Sequence, residues 1–327
     1  MPIDEADGVF QGGGVKMVAL VGALLGFYER GIRRWVNVAG ASSGAIVAAY
    51  LATGHDARET EARVRAAPFR RFEDFGPGGR ILGGAWNLLL HHGLARGEFV
   101  RRWIDAELGG RTFAAVKDNG DYRLKLIAAD VTRRELLVLP DDLARYRLPN
   151  SAAAIDPERF RIADAVRMSM SLPYFFAPVE LVHAASGTRS TIIDGGLVSN
   201  FPIWLFDVAD RDPVRPTFGF RLTGGHGVAS GAEGTLARLG WPVKLGLDIF
   251  HTAMEASDKR FMSHSTRVRT CLVPALDVAT TDFGISQAKE AELIESGRRA
   301  ASAFLDSFRP EDYVNTYGRG LPAAARA

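Results

Sequence analysis

The pentapeptide Gly40-Ala41-Ser42-Ser43-Gly44 sets a serine midway between two glycines. In the pattern G-x-S-x-G the chain turns sharply from strand into helix, and small neighbours let a serine Oγ project from the end of a sheet. Ser42 is the candidate nucleophile for acyl transfer. The same residues also fit a plain helix start capped by Ser42 and Ser43, and Ser43 is read as such a cap. Acyl transfer needs donors where negative charge develops on the carbonyl oxygen. Gly12-Gly13-Gly14 at a helix start offers backbone N–H groups with no side chain in the way, a candidate oxyanion hole. Those glycines do not make a phosphate cradle: Lys16 is followed by Met17 rather than Ser or Thr, and Met17 stands where a dinucleotide fingerprint needs its third glycine.

Ser42 also needs a base. The seven histidines sit in no catalytic pattern, whereas Ile192-Ile193-Asp194-Gly195-Gly196 puts a carboxylate straight after a β-branched run and before two glycines. Taken alone, Asp-Gly-Gly also fits an ordinary turn; together with the other two motifs Asp194 becomes the candidate base. A free aspartate has a pKa of about 3.9, so such a base is expected to act through close placement more than through a matched pKa.

These residues need elements to hold them. Gly8-Val9-Phe10 reads as a strand running into the glycine turn, and residues 15–30 as a helix closed by Gly31. Residues 35–39 then read as a buried strand, 40–44 as a turn and 45–52 as an Ala-rich helix. Two consecutive strand-turn-helix units imply a parallel sheet covered by helices. Further strands are expected at 122–129, 134–139, 191–194 and 217–222, with helices at 97–107 and 287–304. Residues 36–54 carry no charge, but Asn37, Gly40, Ser42, Ser43 and Gly44 within them fit a buried strand-turn-helix better than a membrane span. The stretches 76–79 and 224–234 look flexible, and neither separates halves of different composition. One domain over 1–310 with a C-terminal tail at 311–327 is expected.

Forty Lys+Arg against 38 Asp+Glu give a formal charge of +2, no general field for nucleic acid. Cys271 is the only cysteine, which excludes an intrachain disulfide or a Cys-based metal site, and the acidic start (Asp4, Glu5, Asp7) does not resemble an export signal; a cytoplasmic protein is expected. No calcium loop and no other metal site is evident, and no cofactor is called for. Leu82, Trp86, Leu88, Leu89, Leu90 and Leu94 make 80–95 unusually apolar, and Phe69, Phe72 and Phe75 interleave with Arg70 and Arg71. Both segments fit either core packing or an acyl channel with peripheral membrane contact.

The combination resembles the patatin-like phospholipases over most of the chain. The resemblance rests on Gly12 to Lys16, Gly40 to Gly44, Asp130-Val131-Thr132, Ser169-Met170-Ser171-Leu172-Pro173 with the aromatics that follow, and Asp194-Gly195-Gly196 continuing through Asn200-Phe201-Pro202. It implies a three-layer α/β/α sandwich with a mixed, largely parallel central sheet. It further implies a lipid acyl hydrolase acting on phospholipid or other lipid esters: Ser42 as nucleophile, Asp194 as base, Gly12, Gly13 and Gly14 as oxyanion donors, Lys16 in the cationic place after the glycines, and Gly40, Gly44, Gly195 and Gly196 in support. Met17 departs from the pattern, where many members have another glycine. Two other readings stand beside it: an α/β-hydrolase esterase with Ser42, Asp207 and His251 or His264, and a non-catalytic lipid-binding or regulatory protein on the same scaffold.

Overall fold

The computed structural model describes residues 3–75, 84, 87, 91–207, 213–224, 241–261 and 264–317. Its centre is a nine-stranded sheet. The strands are Glu5–Phe10 (β1), Arg34–Ala41 (β2), Leu124–Asp130 (β3), Glu135–Leu139 (β4), Tyr146–Arg147 (β5), Val179–His183 (β6), Arg189–Asp194 (β7), Thr217–Thr223 (β8) and Thr270–Pro274 (β9). They lie in the order β9-β8-β1-β2-β3-β7-β6-β5, with β4 also paired to β3. The five strands from β9 to β3 are mutually parallel, and β4 to β7 join antiparallel, so the sheet is mixed with a parallel body.

The parallel body is buried on both faces, as strands linked by helical crossovers must be. On β1 and β2 the side chains alternate: Phe10 and Val38 enter the main core, while Val9 and Ala39 face a smaller cluster with Phe201 and Ile203. Helices Met17–Glu29 (α1), Ser43–Ala52 (α2), Ala57–Arg65 (α3), Glu98–Glu107 (α4), Ile162–Ser169 (α5), Gly196–Ser199 (α6), Trp241–Phe261 (α7), His264–Arg267 (α8), Gln287–Ser307 (α9) and Pro310–Tyr317 (α10) complete the three-layer α/β/α arrangement. α1 is apolar nearly all round because it is sandwiched between the sheet and α9, with only its last residues reaching solvent.

One detail of the register decides the site. β3 takes β4 along one edge over Leu126 to Asp130. Its other edge is shared, by β2 opposite Leu124 to Ile127 and by β7 opposite Ala128 to Asp130. β2 runs parallel to β3 and β7 antiparallel, so their C-terminal ends meet head-on, with Ala41 opposite Ile127 and Asp194 opposite Ala128. Residues distant in sequence are thereby brought to one point.

Two sequence expectations change. The turn expected at 40–44 is compressed into Ser42 alone, because β2 continues to Ala41 and α2 begins at Ser43. The segment assigned to a tail begins with the packed helix α10: Tyr313 and Tyr317 are buried, the Tyr313 hydroxyl accepts the Thr217 N–H at 3.0 Å, and the Arg269 guanidinium lies 4.0 Å above the Tyr317 ring. Residues 76–79, most of 224–234, Leu82, Trp86, Leu88, Leu89, Leu90 and 318–327 lie outside the described residues. Among the described residues no helix is long and apolar enough to cross a membrane.

Candidate active site

Ser42 holds φ 51° and ψ −128°, a left-handed backbone that a non-glycine residue adopts at a cost of about 1–3 kcal/mol. Its neighbours explain how it is tolerated. A Cβ on Gly40 would strike the Gly44 backbone, and one on Gly44 would strike the Phe10 carbonyl, so the turn closes only with glycine at both positions. The Ser42 N–H donates to Ser169 Oγ at 3.0 Å, and Ser169 in turn donates to the Ile127 carbonyl at 2.6 Å, tying the turn to β3. The Ser42 side chain caps nothing.

It instead lies beside the Asp194 carboxylate, whose ionised form it favours. Asp194 ends β7 and is buried; its Oδ1 accepts the Gly196 N–H at 2.7 Å, and its own N–H donates to the Ser171 carbonyl at 3.0 Å. Burial pushes the carboxyl up to about 6, offset in part by the neighbouring Ser42 side chain and the hydrogen bond from the Gly196 N–H. Its proton affinity is thus closer to that of an effective general base than a free aspartate's, contrary to the sequence expectation. Gly195 is pressed against the Ile127 carbonyl, leaving no space for a side chain where β7 leaves the sheet.

The three glycines separate in role. The Gly12 N–H donates to the Asn200 carbonyl at 3.2 Å, so Gly12 is a scaffold residue and not the oxyanion donor expected from the sequence. The Gly13 N–H donates to Ser43 Oγ at 3.1 Å. Ser43 is buried and is therefore no surface helix cap; it shields an amide that would otherwise be unsatisfied in a dry cleft. Gly14 begins a short 3₁₀ turn, Gly14–Lys16, whose first N–H groups have no intrahelical acceptor. The Val15 N–H donates to the Thr280 carbonyl at 3.0 Å, and Gly14 lies so close to that carbonyl that no Cβ would fit. Lys16 is half-buried at the end of this turn.

Ser42, Ser43, Gly13, Gly14 and Asp194 face one narrow cleft. The rest of its wall is mostly apolar: Phe69 and Phe72, the run Met170, Leu172, Phe175 and Phe176, and Phe283. Its volume of about 50 Å³ admits only a few waters. Phe69 and Phe72 point inward while Arg70 and Arg71 between them are exposed, so this segment serves the cleft and the surface at once.

Arg167 was not singled out in the sequence, although a cation on the buried face of an otherwise apolar helix was the available signal. Its guanidinium donates to Ser171 Oγ at 2.6 Å and to the Arg96 and Ala177 carbonyls at 2.7 and 2.6 Å, fixing the stretch that lines the cleft. Burial draws it down to about 10. Asp130 lies away from the cleft wall; it accepts the Thr132 and Arg133 N–H groups and the Tyr146 hydroxyl, closing the β3–β4 turn.

Among the described residues the Ser-His-Asp alternative does not assemble. Asp207 is bound by the Arg269 guanidinium at 2.5 and 2.9 Å. His251 does line the cleft, but Asp207, the acid that reading needs, is not among the cleft's lining residues. The His264 side chain lies outside the described residues. Among the described residues no cluster of three His, Cys, Asp or Glu is placed to hold a metal ion.

Comparison with known proteins agrees with this geometry. The chain is 37% identical over 304 residues to the uncharacterized protein YqhO of Bacillus subtilis (strain 168), covering 91% of this chain and 97% of that one. Its fold is similar to VipD from Legionella pneumophila, with a TM-score of 0.53 and 16% identity over 93% of this chain and 67% of that one. It is also similar to a structure of the heterodimeric ExoU–SpcU complex from the type III secretion system of Pseudomonas aeruginosa, with a TM-score of 0.50 and 16% identity over 93% and 52% of the two chains. The model of the family described as patatin-like phospholipase matches residues 8–207, which include the glycine turn, Ser42 and Asp194. With more than half of the chain matched and the resemblance in its motifs met, the chain belongs to the patatin-like phospholipase family.

Proposed function

We propose that the protein is a lipid acyl hydrolase, a phospholipase A or esterase, that works through a Ser42–Asp194 dyad and an acyl-enzyme. The observation that carries this reading is the Ser42 side chain beside a buried Asp194 carboxylate within a mostly apolar cleft. Asp194 takes the Ser42 proton as Oγ adds to the ester carbonyl. The Gly13 and Gly14 N–H groups receive the developing oxyanion; Gly13 exchanges its bond to Ser43 for one to the substrate. The tetrahedral adduct collapses, the alcohol leaves with the proton held by Asp194, and Ser42 remains acylated. Asp194 then draws a proton from water, the hydroxide adds to the acyl carbon, and fatty acid is released with the proton returned to Ser42.

The aromatic walls suit a fatty acyl chain, and the exposed Arg70 and Arg71 beside Phe69 and Phe72 suit peripheral contact with an anionic lipid surface. The test is mass-spectrometric product analysis of mixed phospholipids and neutral esters incubated with wild type, Ser42→Ala and Asp194→Asn. Fatty acid release by wild type alone is expected; equal release by all three would refute the assignment.

A further inference from the structure

The cleft holds one nitrogen-bearing side chain that the dyad does not use. His251 projects from α7 into the same cleft as Ser42 and Asp194, half-buried, with its ring edge-on to Phe250 at 6.0 Å. Among the described residues its ring nitrogens have no hydrogen-bond partner. It is neither the third member of a triad nor a group used up in holding the fold, since Asp207 is bound by Arg269 and Asp194 Oδ1 accepts the Gly196 N–H.

The lining residues differ in chemistry. Phe69, Phe72, Leu172, Phe175 and Phe176 offer only carbon, which suits the acyl chain of an ester. An ester whose acyl chain lies along those carbons leaves its alkoxy oxygen to the other lining residues, among which His251 offers a donor in either neutral tautomer.

Resting on the dyad reading, we propose that His251 is a further catalytic residue, donating a ring N–H hydrogen bond to the alkoxy oxygen of the leaving alcohol and so favouring esters of ordinary aliphatic alcohols. As the carbonyl carbon–alkoxy oxygen bond breaks, its electron pair moves onto that oxygen. The proton that Asp194 took from Ser42 then transfers to the oxygen, and the alcohol departs. His251 keeps its own proton throughout and acts only while charge resides on the oxygen. That charge is large for an aliphatic alcohol and small for p-nitrophenol, so the contribution depends on the leaving group.

The experiment compares p-nitrophenyl and glyceryl esters of one fatty acid with wild type, His251→Leu and His251→Gln, taking the ratio of the two kcat values within each protein so that the folded fraction cancels. His251→Leu is expected to lower the glyceryl-to-p-nitrophenyl ratio at least tenfold, about what a hydrogen bond to a charged oxygen contributes, with kcat for the glyceryl ester moving more than KM. His251→Gln, which keeps an N–H donor, is expected to restore most of the ratio. An unchanged ratio in His251→Leu, or a lowered ratio that Gln does not restore, overturns the assignment. Ester hydrolysis that persists in Ser42→Ala would instead overturn the dyad reading beneath it.

Discussion

Replacing Asp194 with Asn is expected to abolish hydrolysis and, at neutral pH, to make the folded protein harder to unfold. The carboxyl ordinarily titrates at 3.8 and is pushed up to about 6 by burial at the end of β7. The native state therefore holds this proton more tightly than the unfolded chain does. Stability from that source is fully present below about pH 4 and is lost as pH rises through about 6. Over roughly 2 pH units at 1.36 kcal/mol each, ionising Asp194 costs the native state about 3 kcal/mol. Asn cannot ionise, yet its oxygen can still accept from Gly196 and its amide can donate to Ser42. Urea unfolding of both proteins from pH 4 to pH 8 isolates the effect, since every other titrating group cancels in the difference. The variant's advantage should grow from its acid-limb value by about 3 kcal/mol toward pH 7. In parallel, wild-type kcat/KM should fall about tenfold per pH unit below pH 6. A stability difference that stays flat across this range, or runs in the opposite sense, would refute the claim that a buried, strained ionisation powers the site.

Two further substitutions separate positioning from chemistry. Ser169→Ala removes the acceptor of the Ser42 N–H and the donor to Ile127 O, and is expected to cost about 2 kcal/mol in denaturant unfolding and to lower kcat more than KM, because the strained turn loses its anchor. Asp207→Asn strips the buried Arg269 of its countercharge and is expected to cost about 3–5 kcal/mol in stability while the hydrolytic rate per folded molecule is retained; loss of that rate would reinstate Asp207 as a catalytic acid.

The chemistry was legible in the sequence where backbone geometry dictates residue type. Gly40, Gly44 and Gly195 stand where a Cβ would meet main-chain atoms, and such positions announce themselves as glycine beside a reactive side chain. The parallel body was legible for a similar reason, since strands buried on both faces read as unbroken apolar runs. Pairings set by sheet register were not legible. Nothing local to Gly12 shows that its N–H is taken by Asn200, and nothing local to Ser43 marks it as the acceptor for Gly13. Asp207 looked available because its partner, Arg269, arrives on a later segment. Helix α10 was read as tail because its few apolar residues become informative only once Tyr313 meets β8 and Tyr317 meets Arg269.

The Thr280 carbonyl, which clasps the glycine turn from the far end of the chain, divides the labour unevenly along the polypeptide. The cleft is assembled from separate stretches: the proposed nucleophile and base come before residue 207, whereas His251, Met254, Thr280, Thr281 and Phe283 follow it. Exchanging the later stretch between relatives would alter part of the cleft lining while leaving the proposed nucleophile in place. Amputating it would leave Ser42 and Asp194 at the ends of their strands but unfasten the glycine turn that Thr280 holds.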